Sequence, residues 1–179
     1  MKKILVTGGN KGIGLAIVQK ILETDIETFV YMGSRSIDRG EASKNNLLKQ
    51  NSSFKERIEV LPLDVSNDHS VTEAFKIVDK KCREDGKKLY GIVNNAGVMM
   101  EDSALEDVLQ VNVYGIYRVS NKFIPLIDEQ KGRIVNITSA AGPSFVSTCS
   151  EKQRHFLVSS DISWESLESF MDKCIDIRK

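Results

Sequence analysis

Five short runs of apolar residues punctuate the first 142 positions: Ile4-Leu5-Val6, Phe29-Val30-Tyr31-Met32, Ile58 to Leu63, Ile92-Val93 and Ile134 to Ile137. Each is nearly continuous rather than alternating, which suits strands covered on both faces. Between them lie stretches with helical spacing. In the clearest, Val71, Ala74, Phe75, Val78 and Cys82 fall on one face, with Ser66 as the expected N-cap and Asp68 in the first turn. Strand and helix alternate five times, and right-handed parallel crossovers turn that order into a doubly wound sheet with helices on both faces. The pattern predicts a Rossmann-type α/β domain over residues 1–142.

After Gly142 the texture changes. Residues 143–179 contain no glycine but eight serines, the only tryptophan and two of the three cysteines. One helix is expected there, from about Trp164 to Ile177, with Leu167, Phe170, Met171, Cys174 and Ile175 at approximate helical spacing and Ser163 as its cap. Ser144 to Ser160 reads as an irregular loop.

Composition narrows the function classes. Among 179 residues, 41% hydrophobic, 25 Lys and Arg balance 25 Asp and Glu, so the chain lacks the field that nucleic acid or an anionic membrane would need. Met1-Lys2-Lys3 leads into an apolar run that stops at Thr7, too short for a signal-peptide core or a membrane span. Cys82, Cys149 and Cys174 are scattered, and His69 and His155 lie near none of them in sequence, so neither a disulfide framework nor a metal site is expected. A soluble cytoplasmic protein follows, with no nucleic-acid or membrane partner.

The first strand runs straight into Thr7-Gly8-Gly9-Asn10-Lys11-Gly12-Ile13-Gly14, which opens a helix at Leu15-Ala16-Ile17-Val18. Glycines in that position let the backbone approach a diphosphate, and the free amides and dipole of the helix start stabilise its charge. The plainer alternative is a turn between strand and helix. The second strand ends at Gly33-Ser34-Arg35. An acidic side chain there would hold a bare ribose 2′-hydroxyl; Arg35 suits a 2′-phosphate instead, with Lys11 as a second cation, so NADP(H) is the expected cofactor. Asp38 nearby keeps the acidic option open, and Arg35 as a solvated loop charge is the plain alternative.

The spacing Gly-x-x-x-Gly-x-Gly, followed in order by Asn94-Asn95-Ala96-Gly97, by Asn112 in Val111-Asn112-Val113 and by Ser139 in Ile137-Thr138-Ser139, resembles the short-chain dehydrogenase/reductase family. The stretch Gly9 to Val18 resembles its carbonyl reductase branch, which reduces ketones, aldehydes and quinones with NADPH. The resemblance implies that Gly8, Asn10, Lys11, Gly12, Ile13, Gly14, Arg35, Asn94, Ala96 and Gly97 surround the cofactor, with Asp64 and Val65 at the adenine. It implies that Ser139 steadies the substrate carbonyl oxygen and that Asn112 holds a proton-relaying water. Read without the resemblance, Asp64 is an N-cap, Ser139 a turn or cap residue, and Asn112 a maker of local backbone hydrogen bonds. Ala140, Ala141 and Met99 are the nearby candidates for an apolar substrate wall.

The family's proton donor is a tyrosine activated by a lysine four residues on, one helical turn away. Here Tyr31, Tyr90, Tyr114 and Tyr117 are followed at that distance by Arg35, Asn94, Arg118 and Asn121. In the carbonyl reductase branch a helical insertion separates the serine from the tyrosine, and residues 143–179 resemble its beginning. The expectation is therefore the N-terminal portion of such an enzyme, its sheet incomplete on the C-terminal side, with little or no turnover from these residues alone. The competing expectation is a non-catalytic nucleotide-binding or partner-binding module on the same fold; a methyltransferase-like protein is disfavoured by Arg35 and the Asn-Asn-Ala-Gly signature. A monomer or weak homo-oligomer is expected.

Overall fold

The computed structural model describes residues 1–99 and 103–178. Strands β1 (Lys2–Val6), β2 (Thr28–Ser34), β3 (Ile58–Pro62), β4 (Leu89–Asn94) and β5 (Arg133–Asn136) form one parallel sheet in the order β3-β2-β1-β4-β5. Helices α1 (Gly12–Thr24), α2 (Ile37–Gln50), α3 (Asp68–Asp85), α4 (Leu105–Asn112) and α5 (Tyr114–Phe123) supply the crossovers. This is the doubly wound Rossmann-type arrangement.

Side-chain alternation along the strands divides the core. Leu5, Tyr31, Leu61 and Ile92 face one way and pack with Val71, Ala74 and Val78 of α3 and Val119 and Phe123 of α5. Val6, Val30, Met32 and Val60 face the other way, towards Val18 and Leu22 of α1 and Leu47 of α2. Strands buried on both faces need apolar residues at every position, which is why β1 and β2 read as unbroken runs. The strand order reverses between β1 and β4, so the loops after them diverge and leave a crevice at the C-terminal edge.

Three local expectations are corrected. Strand β5, expected to be covered on both faces, is exposed throughout. Ile134 and Val135 are 38% and 47% exposed, because among the described residues β5 joins neither apolar cluster and only pairs with β4. The cap of α3 is Asn67, whose side chain accepts from the Ser70 N–H at 2.9 Å; Ser66 is engaged one step earlier, donating from its N–H and hydroxyl to Asp64 Oδ1. The segment read as a loop holds two helices, α6 (Ala141–Thr148) and α7 (Glu151–Leu157). Their apolar positions are too few to make a stripe, but Ser150 and Gln153 form a capping box at the start of α7.

The chain parts into two compact units, Met1–Asn136 and a second beginning at Ile137. In the second, α8 (Trp164–Arg178) starts where expected, with Ser163 Oγ accepting from the Ser166 N–H at 3.2 Å, and the rings of Phe156 and Phe170 meet at 5.5 Å. No helix among the described residues is long and apolar enough to cross a membrane.

Candidate functional site

At the β1/β4 switch point the first unit contains a cleft of roughly 460 Å³. Its floor is laced together by Thr7, which is buried. Thr7 Oγ1 accepts from the N–H groups of Asn95 (2.9 Å) and Ala96 (3.0 Å), while Asn95 Nδ2 donates to the carbonyls of Thr7 (3.0 Å) and Gly8 (3.3 Å). The Gly9 N–H donates to the Gly33 carbonyl at 2.9 Å and so anchors the loop to β2.

The glycines at the mouth of α1 are there for stated reasons. Gly12 has φ +52°, in the left-handed region that other residues enter at a cost. A Cβ on Gly14 would run into the Gly8 carbonyl oxygen and Asn95 Nδ2, so only a glycine lets the helix start this close to the loop. No side chain caps α1, and its first turn carries no acidic residue. The orphan amides and positive dipole end of this helix therefore open onto the cleft, as an anion requires.

Every residue expected at the cofactor lines this cleft except Asn94. Asn94 is 2% exposed, and its Nδ2 donates to Ser120 Oγ (3.1 Å) and Asn136 Oδ1 (2.8 Å). The strand's pleat sends neighbouring side chains to opposite faces, so Asn95 takes the cleft side. Leu63, Val98 and Val111 complete the apolar wall, and Arg39 adds a second guanidinium. Arg39 lies on α2 four residues after Arg35; that spacing across a helix start is the signal the sequence holds for it. Asp38, in the first turn of α2, is not among the lining residues. Among the described residues, neither guanidinium nor the Lys11 ammonium has a side-chain partner. Asp64 caps no helix; its Oδ1 is occupied by Ser66.

The residues fit a dinucleotide phosphate: uncapped amides, three cations without counter-ions and a wall of small and apolar groups share one cleft. Comparison with known proteins points the same way. Residues 2–150 match the family model for short chain dehydrogenases. The chain belongs to the short chain dehydrogenase family. It is similar to the mitochondrial D-beta-hydroxybutyrate dehydrogenase of Rattus norvegicus, 31% identical over 148 residues, 79% of this chain and 42% of that protein. It is also similar to human carbonyl reductase 1 (NADPH), 30% identical over 186 residues, 98% of this chain and 62% of that one. Among solved structures, salutaridine reductase of Papaver somniferum superposes with a TM-score of 0.81 at 23% identity, over 98% of this chain and 70% of that one, a likeness of fold. The chain thus spans less than half the length of the first of these curated relatives and matches the N-terminal portion of the carbonyl reductase branch. The relatives are oxidoreductases.

The remaining signature residues of this short chain dehydrogenase are held as follows. Asn112, the last residue of α4, clasps the backbone of Val98: its Oδ1 accepts from the Val98 N–H and its Nδ2 donates to the Val98 carbonyl, both at 2.9 Å. The amide thereby fixes the loop after β4, and the helix is interrupted immediately afterwards at Val113. In the second unit, Ser139 is exposed and lies just before Ala140, the cap of α6; its Oγ accepts from the Ala141 N–H at 3.1 Å, while its own proton stays available to donate. Of the tyrosines, Tyr31 is buried at 1% exposure. Burial pushes its hydroxyl further from ionisation than an ordinary phenol, the reverse of what a proton donor needs.

Proposed function

We propose that the protein is an NADP(H)-dependent carbonyl reductase acting on ketones, aldehydes or quinones, as a monomer or weak homo-oligomer in a reducing compartment such as the cytoplasm. Residues 1–142 are its dinucleotide-binding domain, and residues 143–179 belong to a helical insertion like that of the carbonyl reductase branch. The observation that carries this reading is the meeting of an uncapped helix start with Lys11, Arg35 and Arg39 around one cleft. The name of the human relative, an NADPH enzyme, supports it.

When bound, NADPH supplies the hydride. The amides from Gly12 to Gly14 would hold the diphosphate, Arg35 and Arg39 the ribose 2′-phosphate, Asp64 and Val65 the adenine, and Ala96 and Gly97 would leave room for a ribose. Ser139 would donate a hydrogen bond to the carbonyl oxygen and stabilise the charge developing there, with Asn112 holding a relay water. The oxygen's proton still needs a donor, and no tyrosine in these 179 residues has a lysine four positions on. A second reading, a nucleotide-binding module without turnover, needs no such donor.

Calorimetric titration tests the cofactor. NADPH is expected to bind more tightly than NADH. Arg35→Met should weaken NADPH about tenfold or more, the size of a charge-assisted bond, and leave NADH nearly unchanged. Equal affinity for the two cofactors would overturn the reading. Following NADPH absorbance with a quinone tests the chemistry: the 179-residue chain is expected to turn over little, and brisk turnover would mean that a donor other than a Tyr-x-x-x-Lys pair serves within these residues.

A further inference from the structure

We propose that Ser43 is a positioning residue that couples the glycine-rich loop to Arg39, one of the two guanidiniums at the ribose phosphate, so that it contributes to selectivity for NADP(H). The proposal rests on the NADP(H) reading above.

A serine inside a helix commonly bonds back to its own preceding turn. Ser43, in α2 and half-buried, does otherwise: its Oγ donates to the main-chain carbonyl of Asn10 at 2.7 Å, 33 residues away. Asn10 lies in the turn between β1 and α1 and lines the cleft. So does Arg39, which precedes Ser43 by four residues and therefore shares its face of α2, one turn nearer the helix start. Helix α2 is a firm anchor for both. At Gly40 it lies so close to β3 that a Cβ would stand 2.5 Å from Val60 Cγ1, and Ser36 caps its first turn by accepting from the Arg39 N–H.

The consequence for an anion follows from peptide geometry. The chain has no cis bond among its described residues, and in a trans peptide the carbonyl and the next N–H point in opposite directions. A hydroxyl that draws the Asn10 carbonyl towards α2 turns the Lys11 N–H away from α2. It also keeps a carbonyl dipole from rotating towards a bound diphosphate, which it would repel. Because the same helix carries Arg39, a phosphate engaging the guanidinium and a diphosphate engaging the loop act on one connected body. Removing the hydroxyl should therefore cost NADPH, which uses both ends, more than NADH, which uses one.

The test is a Kd measurement for NADPH and NADH on the 179-residue chain and on Ser43→Ala, a substitution that favours the helix and leaves folding, followed by circular dichroism, intact. NADPH is expected to weaken about fivefold, the size of one neutral hydrogen bond, and NADH less than about twofold. In an Arg39→Met background the effect of Ser43→Ala on NADPH should shrink to its effect on NADH. Equal weakening of both cofactors, no weakening, or additivity with Arg39→Met would each overturn the coupling. A wild-type chain that binds neither cofactor, or both alike, would instead bring down the cofactor reading on which the proposal stands.

Discussion

Lys3 is 6% exposed, an unusual place for an ammonium. It is sustained by three acceptors: the carbonyls of Lys81 (3.0 Å) and Lys87 (3.4 Å) and the carboxylate of Asp85 (2.7 Å). Burial alone would raise the Asp85 pKa, but the Lys3 ammonium and the Lys87 N–H outweigh it and hold the carboxyl below its usual 3.8. A depressed carboxylate contributes stability that is present above the unfolded pKa and lost as pH falls through the folded one. Asp85→Asn should therefore lower Tm near pH 6 and narrow the fall in Tm between pH 6 and pH 3; an unchanged fall would show that the pair does not couple folding to protons. At this scale the sequence was only partly legible. The Asn-Asn-Ala-Gly signature announced a turn at the cleft, but which amide faces it depends on the pleat of β4, so Asn94 was expected where Asn95 stands. Arg39 went unseen because its relevance comes from where α2 begins. The Asn112 amide also clasps the Val98 backbone, a contact that no local pattern encodes.

Helix α1 illustrates what an element must give up to bind an anion. Its uncapped start forgoes the ~1 kcal/mol that a Ser or Asp N-cap commonly adds, and the loop before it must come close enough for Gly14 to touch the Gly8 carbonyl and the Asn95 amide. Gly14→Ala would push those groups apart and with them the lacing between the ends of β1 and β4. It is expected to lower NADPH affinity by more than about tenfold while costing stability of about 1–3 kcal/mol, the range for overpacking a close contact. Titration and denaturant melts would read the two effects, and unchanged affinity would mean that the loop does not contact the cofactor. Elements with strong periodicity or strong punctuation were legible: all five strands, the start of α1, α3 and the start of α8. Those without were not. Helices α6 and α7 contain no buried residue, so there was no apolar stripe to see, and only the Ser150–Gln153 box marks the second. Strand β5 misled in the opposite sense, because an apolar run states what a strand could bury, not what lies over it.

Across the whole molecule the distribution of burial predicts an order of stability. Strands β1 and β4 are paired on both sides, and Leu5, Val6, Leu89 and Ile92 are fully buried. Strand β5 is exposed along its length, and from Ile137 onward Met171 is the one buried apolar residue among those described. Regions with few buried contacts open locally, whereas amides of the central strands exchange only through global unfolding. Strand β2 meets the same conditions, so native-state hydrogen exchange should leave peptides covering residues 2–6, 28–34 and 89–94 protected longest, with those covering 133–136 and 141–157 exchanging orders of magnitude sooner. A ligand that binds only the folded state slows exchange through global opening in proportion to its occupancy, about a hundredfold at a concentration 100 times its Kd. NADPH at that concentration should thus slow the β1 and β4 peptides about a hundredfold and leave α6 and α7, which open locally, close to their unliganded rates. Uniform exchange in the free chain would contradict the stability order; slowing confined to residues 141–157 would put the cofactor in the wrong unit.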